Sequence, residues 1–160
     1  MRITFDEYCA FIAGAAQRSG RYYVLWSPVY SGIKSRDKPE IKASYGGDWP
    51  CLKFVELAAH SGDFFQLAGE EGFGWFRGLY VEYGARIAPQ DQKRMHIKVR
   101  DRPVRTGSWL LHKGKNVEVE REQTVALLEW NAAERMVLVG FSHNEAILTG
   151  WVKDENLHWN

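Results

Sequence analysis

A degenerate internal repeat is the feature that most limits what this chain can fold into. The pattern V-x-x-x-P-V-x-[ST]-G occurs twice with identical spacing, beginning at Val24 and at Val99. A Gly-x-Trp match follows in both copies, and each copy closes on a Gly-Trp-hydrophobic-basic block, at 74–77 and at 150–153. Single matches arise easily in a chain with seven tryptophans, so it is the shared order of the three blocks that predicts two related units.

The repeat divides the chain into four segments. We expect an N-terminal segment at 1–20, a first unit at 21–84, a linker at 85–95 and a second unit at 96–160. The two copies differ mainly by a polar insertion at 33–46 in the first, which predicts a surface loop.

Residues 1–20 have the pattern of a short amphipathic helix. Thr4 and Glu7 form a capping box, and Gly20 ends the run. The apolar residues that recur at helical spacing are Phe5, Tyr8, Phe11, Ile12 and Ala15. Such a stripe favours packing on the core over binding a partner, because helices gain most of their stability from tertiary burial.

The rest of the chain is rich in β-branched and aromatic residues and predicts a mainly β fold. The predicted strands are 22–26, 63–68, 74–82, 95–99, 116–120, 124–130, 135–141 and 146–152. Residues 131–134 and 142–145 predict the turns of a meander in the second unit. The segment 48–60 stays ambiguous, because Asp48 can cap a helix with Pro50 in its first turn.

Composition limits the partners and the location. The 45% hydrophobic residues of this 160-residue chain suffice for a packed core, and 21 basic against 20 acidic residues leave no strong overall field for nucleic acid or membrane. No apolar run approaches the roughly 20 residues that cross a bilayer, so we expect no membrane association and a cytoplasmic location. Cys9 and Cys51 are too few for a disulfide framework and are expected to be reduced and buried.

The order of these motifs resembles that of bacterial Src-homology-3 domains. The residues that carry the resemblance are Val99, Arg100, Pro103, Gly114, Val117, Val119, Gly150, Trp151, Val152 and Leu157 in the second copy, and Gly74, Trp75, Phe76, Tyr80 and Val81 in the first. The resemblance implies two small Src-homology-3-like β-barrels in tandem behind the N-terminal helix. The insertion and the segment 48–60 depart from a minimal barrel. The eukaryotic motif for a proline-peptide groove is not evident, so proline-peptide recognition is not implied.

No set of residues specifies a reaction. Cys51 and His60 are nine positions apart, and spacing alone does not place a base beside a thiol. The other histidines, His96, His112, His143 and His158, occur singly and lack the spacing of zinc ligands. We therefore expect no enzymatic activity, no metal and no cofactor, and keep an enzyme that uses Cys51 as an alternative.

A basic strand is the most suggestive polar feature. Its cationic residues are Lys93, Arg94, His96, Lys98, Arg100, Arg102 and Arg105. In an extended chain His96, Lys98, Arg100 and Arg102 share one face. Either this charge guards an edge strand against aggregation, or the strand contacts an anion such as a nucleic-acid backbone or an acidic protein surface.

Duplication without catalytic residues predicts a non-enzymatic binding module for a protein or peptide partner, since two linked weak sites gain avidity through effective concentration. The candidate ligand-binding residues are Trp75, Tyr80, Arg100, Arg102, Trp130 and Trp151. The tryptophans are open to a second interpretation as core residues, because buried aromatic side chains dominate core energetics. Nucleic-acid binding through the basic strand 93–105, with exposed tryptophans stacking on unpaired bases, is the alternative function.

Overall fold

The computed structural model of the chain describes residues 23–68, 74–89, 94–100 and 107–158, together with Glu7 and Ala10. Apart from those two residues, which are helical, the amphipathic helix predicted over 1–20 lies outside the described residues.

The described residues form a mainly β structure, which confirms the predicted fold class at that level. The strands are β1 (Tyr23–Leu25), β2 (Gly32–Arg36), β3 (Tyr45–Pro50), β4 (Phe54–Val55), β5 (Leu57–Ser61), β6 (Phe64–Leu67), β7 (Trp75–Arg77), β8 (Val81–Ile87), β9 (Arg94–Lys98), β10 (Asn116–Glu120), β11 (Thr124–Asn131), β12 (Met136–His143), β13 (Ala146–Lys153) and β14 (Leu157–His158). A short α-helix spans Gly107–His112, and 3-10 turns span Gly78–Tyr80 and Asp154–Asn156. No helix within the described ranges has the length and apolar character needed to cross a bilayer.

The predicted meander of the second unit is confirmed. Strands β11, β12 and β13 pair antiparallel in sequence order. Asn144 and Glu145 join the last two of them with φ values of 48° and 68°. Positive φ at both central residues is the requirement of the tight hairpin turn whose twist matches its flanking strands.

The surface loop predicted at 33–46 is wrong at its two ends, because residues 33–36 and 45–46 belong to the antiparallel hairpin of Gly32–Arg36 and Tyr45–Pro50. Ile33 and Ser35 are buried. Only every second residue of a strand points inward, so the five-residue strand β2 has few positions that require an apolar side chain. One of these inward positions is occupied by Ser35. The segment therefore has the composition of a loop although only residues 37–44 connect the two strands.

The helix considered for 48–60 is also wrong, since this segment contributes to β3, β4 and β5. Pro50 ends β3, an edge strand of its sheet, where a missing N–H donor is tolerated. Leu52 has a φ of 60°, which no α-helix permits. A helix occurs instead at Gly107–His112, where no helix was predicted.

The strands form three sheets. A seven-stranded sheet has the order β13-β12-β11-β8-β1-β4, with β14 also paired to β8, and a five-stranded sheet has the order β3-β2-β7-β6-β5. The remaining two strands, β9 and β10, form a hairpin.

Buried side chains form a core for each half of the chain. The first core contains Leu25, Ile33, Leu67 and Phe76, with Trp49, Cys51, Val55, Leu57, Tyr80 and Val81 packed against it. The second core is larger, and its described members include Ile87, Ile97, Val119, Leu127, Val139, Phe141 and Leu148.

Strand β8 belongs to both halves. Val81 packs against the first core, whereas Ala85 and Ile87, further along the same face, lie in the second. Its first residues pair with β1, in the register Tyr23↔Tyr83, and its last residues pair with β14, in the register Leu157↔Ile87. The predicted linker at 85–95 is therefore partly strand, since Ala85–Ile87 belong to β8 and Arg94 and Met95 to β9.

The two Gly-Trp closing blocks have the same local structure. In each, a strand leads into a three-residue 3-10 turn and then into a strand that pairs with the opening strand of its half. The N–H that follows the opening strand donates to the last carbonyl of the turn in both halves: Trp26 to Tyr80 at 2.8 Å, and Ala88 to Asn156 at 2.6 Å. The third block of the sequence repeat thus corresponds to a repeated arrangement of backbone.

A third cluster of apolar side chains lies on the opposite face of the seven-stranded sheet. Val24, Trp26 and Ala126 are its buried members. The Trp26 ring lies on the backbone of Gly140, where an added Cβ would come within 2.5–2.6 Å of three ring carbons. Glycine at this position therefore allows a side chain from the first half to lie flat on a strand of the second.

We expect Gly140→Ala to lower the free energy of unfolding by about 1–3 kcal/mol, because the rigid indole cannot move away without opening the sheet. Gly47→Ala is the matched control, since a Cβ there has no atom within 4 Å. Urea unfolding measures both variants. Equal stability of Gly140→Ala and Gly47→Ala would show that the contact does not limit packing.

Candidate functional site

One face of the five-stranded sheet packs on the first core, and the other, here called the open face, is only partly exposed: Lys34 is exposed on it, whereas Arg36 and Phe64 are buried. Ile33 and Phe76 point into the first core. Lys34 and Arg36 alternate with the inward residues of β2 and therefore occupy the other face. Trp75 lies directly opposite Arg36 in register, so it shares that open face.

A cleft of about 450 Å³ lies against β2 and β3. The residues that line it are Tyr30, Gly32, Ile33, Lys34, Arg36, Tyr45, Asp48, Arg77 and Tyr80. We refer to these nine residues as the cationic cleft, because they include three cations and one carboxylate. Its volume lies within the range of small-ligand sites in proteins.

Arg36 fixes one wall of the cationic cleft. Its side chain is buried, with 8% of the residue exposed, and its Nη1 donates to the backbone carbonyls of Glu40 at 3.2 Å and of Ile41. Nη2 donates to the Tyr45 hydroxyl at 3.2 Å, and the guanidinium lies 4.9 Å from the centre of the Tyr45 ring. These contacts hold the connection 37–44 against the end of the hairpin.

Among the described residues, the cations of the cleft have no carboxylate partner. Within the described part of the chain, no ion pair involves Lys34, Arg36 or Arg77. Lys34 lies opposite Asp48 in register, yet the two side chains do not come within ion-pair distance. The cleft therefore has an excess of uncompensated positive charge.

Aromatic side chains are exposed around the same cleft. Tyr30 and Tyr45 are 56% and 60% exposed, and Leu79, next to Tyr80 in the 3-10 turn, is 54% exposed. Large exposed apolar groups that cluster at one place mark interaction sites more often than isolated ones do.

The structure places only part of the predicted ligand-binding set at this cleft. Tyr80 lines it, and Trp75 is half-buried on the same sheet face. Arg100, Trp130 and Trp151 lie in the second half of the chain and do not line it. Arg102 lies outside the described residues.

The predicted residues of the second half form two separate contacts. The Arg100 guanidinium lies 5.8 Å from the Trp151 ring centre and 3.4 Å from a Glu129 carboxylate oxygen. Trp130 is half-buried against the second core, with the Arg135 guanidinium 5.5 Å from its ring. Each tryptophan is thus already engaged by an arginine.

The basic strand has the predicted alternation. Arg94, His96 and Lys98 are exposed, whereas Ile97 and Val99 are buried. Its partner strand β10 places Glu120 opposite Arg94 and Glu118 opposite His96, and Arg94 pairs with both carboxylates at 3.6 and 3.3 Å. This neutralisation works against nucleic-acid binding at β9, which stays an untested alternative.

Cys51 and His60 make no hydrogen bond with each other in the described structure. The Cys51 Sγ donates to the Tyr30 carbonyl at 3.5 Å, and the His60 ring packs on Phe65 with centres 4.7 Å apart. Burial raises the pKa of the Cys51 thiol to about 11, although a backbone hydrogen bond from Ser27 lowers it. Among the described residues no group of three metal-ligating side chains comes together.

Sequence reasoning missed most of the cleft. Lys34, Arg36 and Tyr45 were not candidates because the segment 33–46 was interpreted as an insertion. Tyr30 and Arg77 lie outside that segment, and no sequence pattern singled them out. The available signal was the alternation from Ile33 to Arg36 followed by the polar turn sequence Asp-Lys-Pro-Glu, which is typical of a strand entering a connection.

Comparison of this chain with protein-family models, with curated proteins and with solved structures finds no match. The cleft is therefore interpreted from its own geometry and charge.

Glu82 carries the other displaced pKa. It lies opposite Val24 in β1 and so shares the face of the seven-stranded sheet on which Trp26 packs. Burial there raises the pKa of its carboxyl group to about 7. The protonated form is favoured by folding, and stability is lost as the pH rises from the unfolded value near 4.3 through 7.

We expect Glu82→Gln to stabilise the protein more at pH 8.5 than at pH 5, by on the order of 1–2 kcal/mol after allowance for the partial exposure of the carboxyl group. Urea unfolding at both pH values provides the comparison, with the exposed Glu155→Gln as the control. A stabilisation that does not change with pH would contradict the assignment.

The raised pKa of Cys51 predicts slow alkylation. In a Cys9→Ser background, we expect iodoacetamide at pH 7.5 to modify folded Cys51 about 100-fold more slowly than the same thiol in urea, because the thiolate is the reactive form. Mass spectrometry of timed samples measures the rate. Equal rates in the two states would restore Cys51 as a candidate nucleophile.

Proposed function

We propose that this chain is a non-enzymatic binding module that holds a segment of a protein partner in the cationic cleft. The observation that supports this most directly is the coincidence of the cleft with exposed Tyr30 and Tyr45 and with uncompensated cations. Tyrosine supplies a large contact area at a low cost in conformational entropy, which suits it to recognition surfaces.

The proposal includes the two-unit architecture. The matching turns and hydrogen bonds of the two closing blocks support tandem Src-homology-3-like units that share β8. In this view the first unit provides the cleft, and the equivalent hairpin of the second unit, β9 with β10, is charge-paired on its outer face. The two units then differ in what they bind, so duplication need not supply two equal sites.

The side chains of the cleft suit recognition of a ligand better than catalysis of a reaction. Its titratable residues are Lys34, Arg36, Tyr45, Asp48, Arg77, Tyr30 and Tyr80. The nearest thiol, Cys51, has its pKa raised by burial and is oriented toward the Tyr30 carbonyl. Binding without chemistry is the function that this set of groups supports best.

We expect a random heptapeptide library displayed on phage to be enriched by the wild-type protein and not by Tyr30→Ala, which removes an exposed aromatic wall of the cleft. The matched control is Leu110→Ala with Leu111→Ala, because these side chains are 67% and 69% exposed on the short helix away from the cleft residues. The control should retain the enrichment, and thermal unfolding verifies that each variant is folded. Absence of enrichment with the wild type, or equal enrichment with Tyr30→Ala, would contradict the proposal.

A further inference from the structure

The cationic cleft brings together three cations, Lys34, Arg36 and Arg77, in one small volume. In the second half of the chain, Arg94, Arg100, Arg121 and Arg135 each have a carboxylate within ion-pair distance. Lys34, Arg36 and Arg77 have no such partner among the residues that the structure describes. The whole chain has a formal charge of only +1, so this excess is local.

Arg36 is the most buried of the three cations. A buried guanidinium is costly unless it is paired with an anion or has all its donors satisfied. Its three hydrogen bonds go to neutral acceptors and use both Nη1 hydrogens and one Nη2 hydrogen. Nε–H and the second Nη2–H have no acceptor among the described residues. The buried charge and its remaining donors together match a carboxylate ligand.

The positions of the three cations support one another. Lys34 and Arg36 lie two residues apart on the outer face of β2. The Arg36 guanidinium lies 5.8 Å from the Phe64 ring centre, and Phe64 is directly opposite Arg77 in register. The cations therefore lie along one stretch of the open sheet face, where several acidic residues of one segment can reach them.

We infer that the segment bound in the cationic cleft is an acidic peptide whose carboxylates are received by Lys34, Arg36 and Arg77 while its backbone and apolar atoms pack on the tyrosines. This inference rests on the proposed function and specifies the chemistry of its partner. A peptide fits better than a nucleic acid, because the cationic surface is a compact cleft that includes Asp48 and does not extend as a tract along a strand.

The direct test is fluorescence anisotropy with a labelled peptide that contains four consecutive glutamates, compared with its glutamine counterpart. We expect the glutamate peptide to bind at least about 10-fold more tightly in 50 mM salt, and Lys34→Gln with Arg77→Gln to remove at least about 10-fold of that affinity. Arg36 is left unchanged in this variant because it holds the connection 37–44.

Lys153→Gln is the matched control. Lys153 follows the second Gly-Trp pair as Arg77 follows the first, and its side chain is exposed outside the cleft. We expect its affinity for the glutamate peptide to stay within about twofold of the wild type. Equal loss in Lys153→Gln and in the cleft variant would show attraction to general surface charge and overturn the inference.

Two further outcomes would overturn it in other ways. A labelled oligothymidine that binds more tightly than the glutamate peptide, with the same dependence on Lys34 and Arg77, would assign the cleft to nucleic acid. Displayed peptides that are enriched by the wild type and lost with Tyr30→Ala, yet carry no excess of Asp and Glu, would refute acidic recognition while the proposed function stands. Failure of the display itself would refute the proposed function, so the two failures are distinguishable.

Discussion

The structure depends on strand β8, which contributes side chains from one of its faces to both hydrophobic cores. Val81 packs on the first core, and Ala85 and Ile87 complete the second. The strand also supplies hydrogen-bonding partners to β1, β11 and β14, so it links the meander of the second half to the opening strand of the first. Side chains on its other face have a different environment: Gly84 allows Val24 to pack closely, and Glu82 is desolvated. Different residues of β8 therefore contribute to the two cores, and the strand is paired with both halves.

The cationic cleft follows from what the first core leaves open. The five-stranded sheet uses one face for Ile33, Leu67 and Phe76, and the alternation of β2 then places Lys34 and Arg36 on the other. Arg36 holds the connection 37–44 against its own strand by donating hydrogen bonds to the backbone carbonyls of Glu40 and Ile41. An arginine used in this way retains its full charge, since its acceptors are neutral. The side chain that holds the hairpin connection is therefore also one of the cations through which we propose that the cleft receives carboxylates.

The sequence predicted the fold best where pattern and environment agree. The meander from β11 to β13 was predicted because each strand is long, apolar and bounded by turn residues, and its turns lie within a residue or two of the expected positions. The strand ends of the segment 33–46 were missed, because the inward residues of β2, Ile33 and Ser35, give almost no hydrophobic signal. The linker predicted at 85–95 was partly wrong for another reason. The composition of β8, a strand that contributes to two cores, did not distinguish its end from a connection. Lys34, Arg36 and Tyr45 of the cleft were missed together with the segment 33–46. Tyr80 was found because it follows the closing block.

The glycine of each closing block is required for a different physical reason in the two halves. Gly150 lies beneath β9, where an added Cβ would meet the Ile97 side chain and come within 2.7 Å of the Lys98 carbonyl. Gly74 has a φ of 101°, which residues with a side chain rarely adopt. The second copy therefore needs glycine for close approach, and the first needs it for backbone conformation. In the second copy the hairpin that crosses the glycine has cross-strand charge pairs, whereas in the first the corresponding hairpin ends at Arg36 and leaves its cations facing an open cleft. A shared backbone motif thus permits the two halves to differ in charge, which is why we propose the first half as the one that binds a partner.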